Sequence, residues 1–378
     1  MNTMMTVVNK RQHMLVSLLL FFGILTLYTS TLATEVLFGD QYYNGEVNHG
    51  YRFTFGYWLD DCRILGVQGD YFDMGQGEAN YSAESDGVTQ LLARPFFNVL
   101  TGQESSQIIA NDEDARGSAD ARVAQDFIGG GIGLRRNLRC HIACGETGCG
   151  EGCGEAGSYD ECGTGACSSR PAGCTRIDMI GGYRFYRLQD SVAMSEFVTL
   201  KQTDGLNPAG TTFDVRDSFR AQNEFHGGEI GVVSQTFRGR WSFEAMAKVA
   251  LGNNHRTVDI RGATTITQPN GDSASYNSGL LALEGTNVGR YERDEFVVIP
   301  QFGLELGYQL SCCTRLYLGY DFLLWTDVAR SGRHIDRSVN PNFIPPQNNP
   351  TGSADPSFAW NDSDFWAQGM NVGFEVRR

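Results

Sequence analysis

Lysine is almost missing from this chain. Lys10, Lys201 and Lys248 stand against 27 Arg and 44 acids, and the formal net charge is −14. That balance excludes the basic surface nucleic-acid binding needs, so no nucleic acid is expected as a partner. Proline is sparse too, at 10 of 378 residues. Beyond residue 33 no run is apolar for the ~20 residues a membrane-spanning helix takes. There is no nucleophile elbow, HExxH, Walker loop or calcium loop, so no catalytic residue, cofactor or metal is assigned. What is abundant points elsewhere. Apolar residues at 41% exclude a disordered chain, and 46 Gly beside 23 Phe and 15 Tyr lean toward β structure.

Residues 1–33 read as a secretory signal peptide. Lys10 and Arg11 form a basic front, Met14 to Leu27 is almost wholly apolar, and Thr31-Leu32-Ala33 supplies small residues for cleavage. The apolar core is short for a membrane anchor. The mature chain, 34–378, is therefore expected to be exported without a helical anchor.

Period-two alternation then recurs along the mature chain. Phe296, Val298, Phe302, Leu304, Leu306, Tyr308 and Leu310 share one face. After Ser311-Cys312-Cys313-Thr314, Leu316, Leu318, Tyr320, Phe322 and Leu324 share another. Tyr51 to Tyr57 and Leu65 to Tyr71 flank the turn at Leu59-Asp60-Asp61-Cys62. Ile230-Val232 and Trp241 to Leu251 flank Phe237-Arg238-Gly239-Arg240, and Trp366 to Val376 closes the chain. Further strands are expected near 126–138 and 177–188, and a tenth at Val36–Tyr43. Long polar stretches at about 75–120, 200–218, 264–293 and 327–362 separate the hairpins.

A secreted, disulfide-rich β-sandwich would alternate as well. Two features favour a barrel: the polar face carries Gly and charge, and short turns alternate with long loops. Lipid offers no hydrogen bonds, so a sheet crosses it only by closing on itself. The expectation is all-β, a transmembrane antiparallel up-and-down barrel of about ten strands (range 8–12), with short periplasmic turns and long extracellular loops.

Cys140, Cys144, Cys149, Cys153, Cys162, Cys167 and Cys174 crowd into a Gly-rich insertion at 139–175. Cys62, Cys312 and Cys313 fall on other short turns, so all ten are expected at the periplasmic end. In an exported chain such crowding reads as disulfides rather than metal, because the spacings are not those of zinc ribbons. Seven is odd, so at least one partner lies outside the insertion.

Arg52, Asp70, Arg135, Asp178, Arg184, Glu229, Glu244, Lys248, Glu305, Arg315, Asp321 and Glu375 fall on the polar face and are expected to line the interior. They would form either a salt-bridged plug or an ion-selective lumen. Gly129-Gly130-Gly131-Ile132-Gly133 lies in a strand pattern and reads as space for bulky neighbours, not as a phosphate loop. Asn253-Asn254-His255 beside Ser242 is a weak pointer to a lipid hydrolase.

Five stretches carry a family resemblance: 92–99, 181–185, 248–255, 289–296 and 364–375, among them Gly181-Gly182-Tyr183-Arg184-Phe185 and Lys248-Val249-Ala250-Leu251-Gly252-Asn253-Asn254-His255. With them the chain resembles the putative β-barrel porin family, the seventh so named, found mainly in planctomycete bacteria. The resemblance implies an outer-membrane barrel and no catalytic residues. Two departures are the size of the Cys-rich turn and the end at Val376-Arg377-Arg378, where many such barrels end on an aromatic residue. The expected role is porin-like passage of small solutes or ions. The alternatives are a plugged structural or cell-surface interaction barrel, and the sandwich. The expected partners are outer-membrane lipid and, during insertion, barrel-assembly machinery.

Overall fold

The computed structural model describes residues 49–60, 63–142, 174–205, 207–311, 314–346 and 350–376, with the strand backbones 5–9 and 33–38. The chain is all-β. A ten-stranded sheet dominates. Its strands are β3 (Tyr51–Trp58), β4 (Leu65–Ser85), β7 (Ala115–Ile142), β8 (Cys174–Leu200), β9 (Thr212–Arg238), β10 (Trp241–Thr267), β12 (Gly289–Gln309), β13 (Thr314–Ala329) and β15 (Asp362–Val376), with short β11 (Ser273–Tyr276) beside β10. Every neighbouring pair is antiparallel, and the long strands follow in an up-and-down meander.

A second sheet of five strands contains β1 (Met5–Asn9), β2 (Ala33–Phe38), β5 (Gln90–Asn98), β6 (Gln103–Ala110) and β14 (Ser338–Val339). Here the expected tenth strand at Val36–Tyr43 is corrected as far as Phe38, its remainder lying outside the described residues. Ala33–Phe38 pairs with β1, and β1 pairs with β5, so neither belongs to the large sheet. Phe38 finds its burial there, in the apolar cluster that holds Leu92 and Phe96. The edges β3 and β15 are not paired with each other. Arg52 on β3 nevertheless reaches Asp321 on β13 at 2.7 Å, so the sheet curls until its two ends nearly meet.

The turns follow from local chemistry. Between β9 and β10 the link is two residues, and Gly239 takes φ +57°, the left-handed first position a two-residue hairpin wants. Between β3 and β4 the Asp60 carboxylate accepts from the N–H groups of Ile64 and Leu65. The strands outrun the sequence expectation at the other end. β4 continues to Ser85, β7 starts at Ala115, β8 and β9 are joined by a short link at 201–211, and β10 and β12 run well into the stretch expected to be loop. Polar residues alternate in these extensions as regularly as apolar ones do below, and composition alone disguised them as loops.

The convex face shows why. On β10 the outward residues from Trp241 to Leu251 are mostly apolar, and Trp241, Phe243 and Leu251 are exposed. Beyond them come Asn253, His255, Thr257, Asp259 and Arg261. On β12 the outward run is Phe296, Val298, Phe302, Leu304 and Leu306, all exposed, with Asp294 and Glu292 past its end. On β15 it is Trp366, Met370, Val372, Phe374 and Val376. Each apolar run spans about 11 residues, the length of a tilted transmembrane strand. Exposed apolar surface this continuous marks a lipid-facing belt, since a soluble protein rarely shows more than a few hundred Å² of it. Among the described residues no helix is long and apolar enough to cross a membrane, which says nothing about strands.

Candidate functional site: a filled interior

The twelve charged residues expected on the interior lie on the concave face, in four groups. Arg184 on β8 is the hub of the first. Its guanidinium donates two bonds to the Asp70 carboxylate, at 2.7 and 2.9 Å, and two to Glu229, both at 2.8 Å. Lys248 approaches Glu229 at 3.4 Å. The second group centres on Arg315, which donates to Glu305 at 2.6 Å, Glu375 at 3.0 Å and the Ser242 hydroxyl at 2.7 Å. Glu244 lies on the same face of β10. In the third, Arg52 and Asn371 both donate to Asp321. In the fourth, Arg135 and Arg176 share the buried carboxylate of Asp178, and the Arg176 guanidinium also lies 4.3 Å from the Trp58 ring centre. Forked Arg–carboxylate geometry of this kind uses the planarity that Lys lacks. It accounts for Arg standing where an interior needs cations.

Glycine makes the room. A Cβ on Gly129 would lie 2.5 Å from the Tyr186 ring and 2.6 Å from Phe72, and one on Gly131 would lie 2.9 Å from the Arg184 guanidinium carbon. The Gly-rich run of β7 is thus the floor under its neighbours' bulky side chains, as its strand pattern suggested.

Beside the first charged group the interior is closed by rings. Phe72, Phe127, Tyr186, Phe225, Trp325 and Phe365 come from six different strands, and all are buried. Phe127 touches Phe72, Phe365, Tyr186 and Trp325, at centroid distances of 5.2, 5.0, 5.9 and 6.3 Å. Trp325, at 0% exposure, also meets Tyr186 and Phe225. Leu188, Val297, Ile299 and Leu323 fill the rest of the layer. Side chains from β4, β7 and β8 therefore meet those of β13 and β15 across the interior. A narrow barrel has room for little more than its own side chains, and here that space is taken.

Past the ring layer the loops turn inward. The β5–β6 hairpin packs Leu92, Phe96, Ile109 and Ala110 against Val192, Met194, Phe219, Val258 and Ile260 of the strand extensions, and Leu280–Leu283 joins them. A buried triad holds this arrangement. Arg94 of β5 donates to Asp217 of β9 and lies 2.7 Å from Glu196 of β8. Asp217 also accepts from the backbone N–H groups of Leu280, Leu281 and Ala282. Burial pushes the Glu196 carboxyl above its ordinary range. The segment 331–360 is pinned by Arg330, which donates to Asp190 and Gln125, and by His334, whose ring stacks on Phe358 and meets Trp360 edge-on. Arg256 on β10 lies 5.4 Å from the Trp360 ring centre and ties the strand ends that flank the segment, donating to Glu295, Asp362 and the Asp327 carbonyl.

A family-wide sequence profile described as Putative beta barrel porin-7 matches residues 28–377. The chain belongs to that β-barrel porin family. No curated protein matches it significantly. Among solved structures, OmpT (in-vitro folded), an outer membrane protein of Vibrio cholerae, is 10% identical over 83% of this chain and 98% of that one, with a TM-score of 0.09, too low to carry an argument. Membership of a porin family makes the aromatic layer and the inward loops of this β-barrel porin relative the features to explain.

Sequence reasoning missed the ring layer and the Arg94–Glu196–Asp217 triad. A signal for the layer existed. Phe296-Val297-Val298-Ile299 and Phe322-Leu323-Leu324-Trp325 are apolar on both faces, which a strand with a wet interior would not be. The hydrolase pointer is corrected: His255 faces outward and pairs with Asp294 at 3.1 Å, whereas Ser242 faces inward under Arg315. Cys62 and the five cysteines from 144 to 167, with Cys312 and Cys313, lie outside the described residues, as do the side chains of Cys140 and Cys174. The insertion between β7 and β8 spans 143–173, slightly shorter than expected, because both strands run on to Ile142 and Cys174. Among the described residues no group of three His, Cys, Asp or Glu could hold a metal ion.

Proposed function

We propose that this porin-family barrel is sealed in its resting state and serves as a rigid, outward-facing platform in the outer membrane. The observation that carries this is the ring layer, in which side chains from opposite walls meet at 5.0–6.3 Å and are buried. The Arg184 and Arg315 groups add to it, since paired charges stiffen an interior and offer no free site to a passing ion. The belt is the surface that meets lipid, and the strand extensions with their loops form a polar body on the exterior. Residues 1–33 serve as the export signal, so its cleavage takes β1 out of the second sheet; the short turns face the periplasm, and barrel-assembly machinery inserts the chain. Disulfides in the cysteine-rich turn would brace the periplasmic end. The chain carries out no catalysis.

The family description favours a second reading, passage of small solutes or ions. Passage requires the loops and the ring layer to move. Proteoliposome swelling in a pentose solution separates the two. The sealed reading expects no swelling above protein-free vesicles from protein whose folding is confirmed by heat-modifiable gel mobility. Swelling proportional to the protein reconstituted would overturn it.

A further inference from the structure

Above the lipid belt the outer wall is dished. A depression of about 860 Å³ crosses β4, β7, β8 and β9. An irregularity in the β4–β7 pairing between Asp73 and Gln76, with Gly75 at φ +67°, bends β4 below it. The outward side chains form ranks across the strands. Ser82, Asp120, Ser195 and Arg216 are direct cross-strand neighbours, and Asn80, Arg122, Ala193 and Ser218 form the next rank. At about 4.8 Å between strands, one rank spans about 15 Å. Phe197, 48% exposed, stands at the end of the dish beside Asp214.

Two properties point to a ligand class. First, among the described residues the side chains of Ser82, Asp120, Ser195 and Ser218 make no hydrogen bond, while Arg216 is held flat by a two-point bond to Asp214 at 2.9 and 2.7 Å, with a donor left over. The dish thus presents unpaired hydroxyls, a carboxylate and an oriented guanidinium beside one exposed aromatic face. Second, the other classes fit poorly. A peptide that binds by adding a strand would seat on the edge of β4 that β3 leaves free beyond Asp73, not on the sheet face that carries these ranks. A nucleic acid needs a basic excess, and Arg and Asp are balanced here. A lipid tail needs a continuous apolar surface, and of the outward side chains here only Ala193 and Phe197 are apolar. We infer that this dish binds an oligosaccharide, whose hydroxyls would meet the two ranks while a sugar face stacks on Phe197. The source is either the sugar portion of a membrane glycolipid or a free glycan. The inference rests on the reading that this end faces outward, but its test does not depend on orientation.

The test is calorimetric titration of the purified mature protein in detergent with maltohexaose, with core oligosaccharide released from lipopolysaccharide, and with intact lipopolysaccharide. At least one probe is expected to bind. Phe197→Ala and Asp120→Ala are each expected to weaken it tenfold or more, while Arg290→Ala, exposed on another part of the wall, leaves it unchanged. Both dish variants sit on the surface, and heat-modifiable mobility verifies their folding. Binding of the released oligosaccharides identifies a glycan site. Binding of intact lipopolysaccharide alone, if still lost in both variants, identifies a glycolipid headgroup site. No binding by any probe at millimolar concentration, or binding equal in all variants, overturns the inference. A sealed barrel and an open one give the same result, so failure here is separate from failure of the swelling assay.

Discussion

Removing the Arg184 guanidinium tests whether the interior is held by its charged hub. In Arg184→Met the side-chain volume is roughly kept, but Asp70 and Glu229 lose four bonds between 2.7 and 2.9 Å. The side chains of Arg184 and Glu229 are only 3% and 7% exposed, so water cannot replace the donors lost to Glu229, while Asp70, at 18%, is only partly rehydrated. Breaking a buried ion pair from one side typically costs about 3–5 kcal/mol. Lys248, 3.4 Å from Glu229, offsets part of this and places the expectation in the lower half of that range. The assay is equilibrium urea unfolding in detergent micelles, followed by heat-modifiable gel mobility. The triple variant Arg184→Met/Asp70→Asn/Glu229→Gln removes the stranded charges and is expected to recover most of the loss. Arg290→Ala, which breaks an exposed pair, is expected to leave the midpoint within assay scatter. An Arg184→Met midpoint equal to that of the wild type would refute the reasoning. So would a triple variant no better than the single one.

Gly129→Ala drives a Cβ into Tyr186 and Phe72 and is expected to lower the yield of folded barrel sharply, whereas Gly181→Ala, where the nearest atom is 3.8 Å away, is tolerated; folded-band intensity compares them. Asp217→Asn weakens the anchor shared by the β5 hairpin and Leu280–Ala282, so chymotrypsin is expected to cut after Phe96, buried in the wild type, and an unchanged digest would contradict the latch. His334 is buried between Phe358 and Trp360, and its Nδ1–H donates to the Ala359 carbonyl. Burial lowers its pKa, with Asp190 and Asp362 opposing the shift and Arg256 adding to it. The packed loop therefore favours neutral imidazole: its stability is full above about pH 6.5 and falls as the unfolded form takes up a proton below it. Proteolysis within 331–360 is expected to be faster at pH 5.5 than at 7.5, with the contrast reduced in His334→Gln.

The belt strands were legible because lipid imposes a strict two-residue period. The stretches 296–310, 316–324 and 366–376 could be placed on one face by inspection, and so could the inward charges. The strand extensions were not legible. At Arg187-Leu188-Gln189-Asp190 the outward side is polar and the inward side mixed, because the outside has become water while the inside stays packed. The hairpin at 90–110 failed for another reason: its apolar residues are buried against strands a hundred residues away, as Leu92 is against Phe219 and Val258, and no local period records that. Arg94 reads as a surface charge until its partners, Glu196 and Asp217, arrive from β8 and β9.

The most direct test of the sealed interior is single-channel recording in a planar bilayer with the folded mature protein. The account expects no discrete conductance from the wild type. Phe127→Ala/Trp325→Ala, which deletes the two central rings of the layer, is expected to give discrete steps. Steady, ion-selective steps from the unaltered protein, shifting in Glu244→Gln and Glu305→Gln, would contradict the account and establish an open lumen lined by those carboxylates.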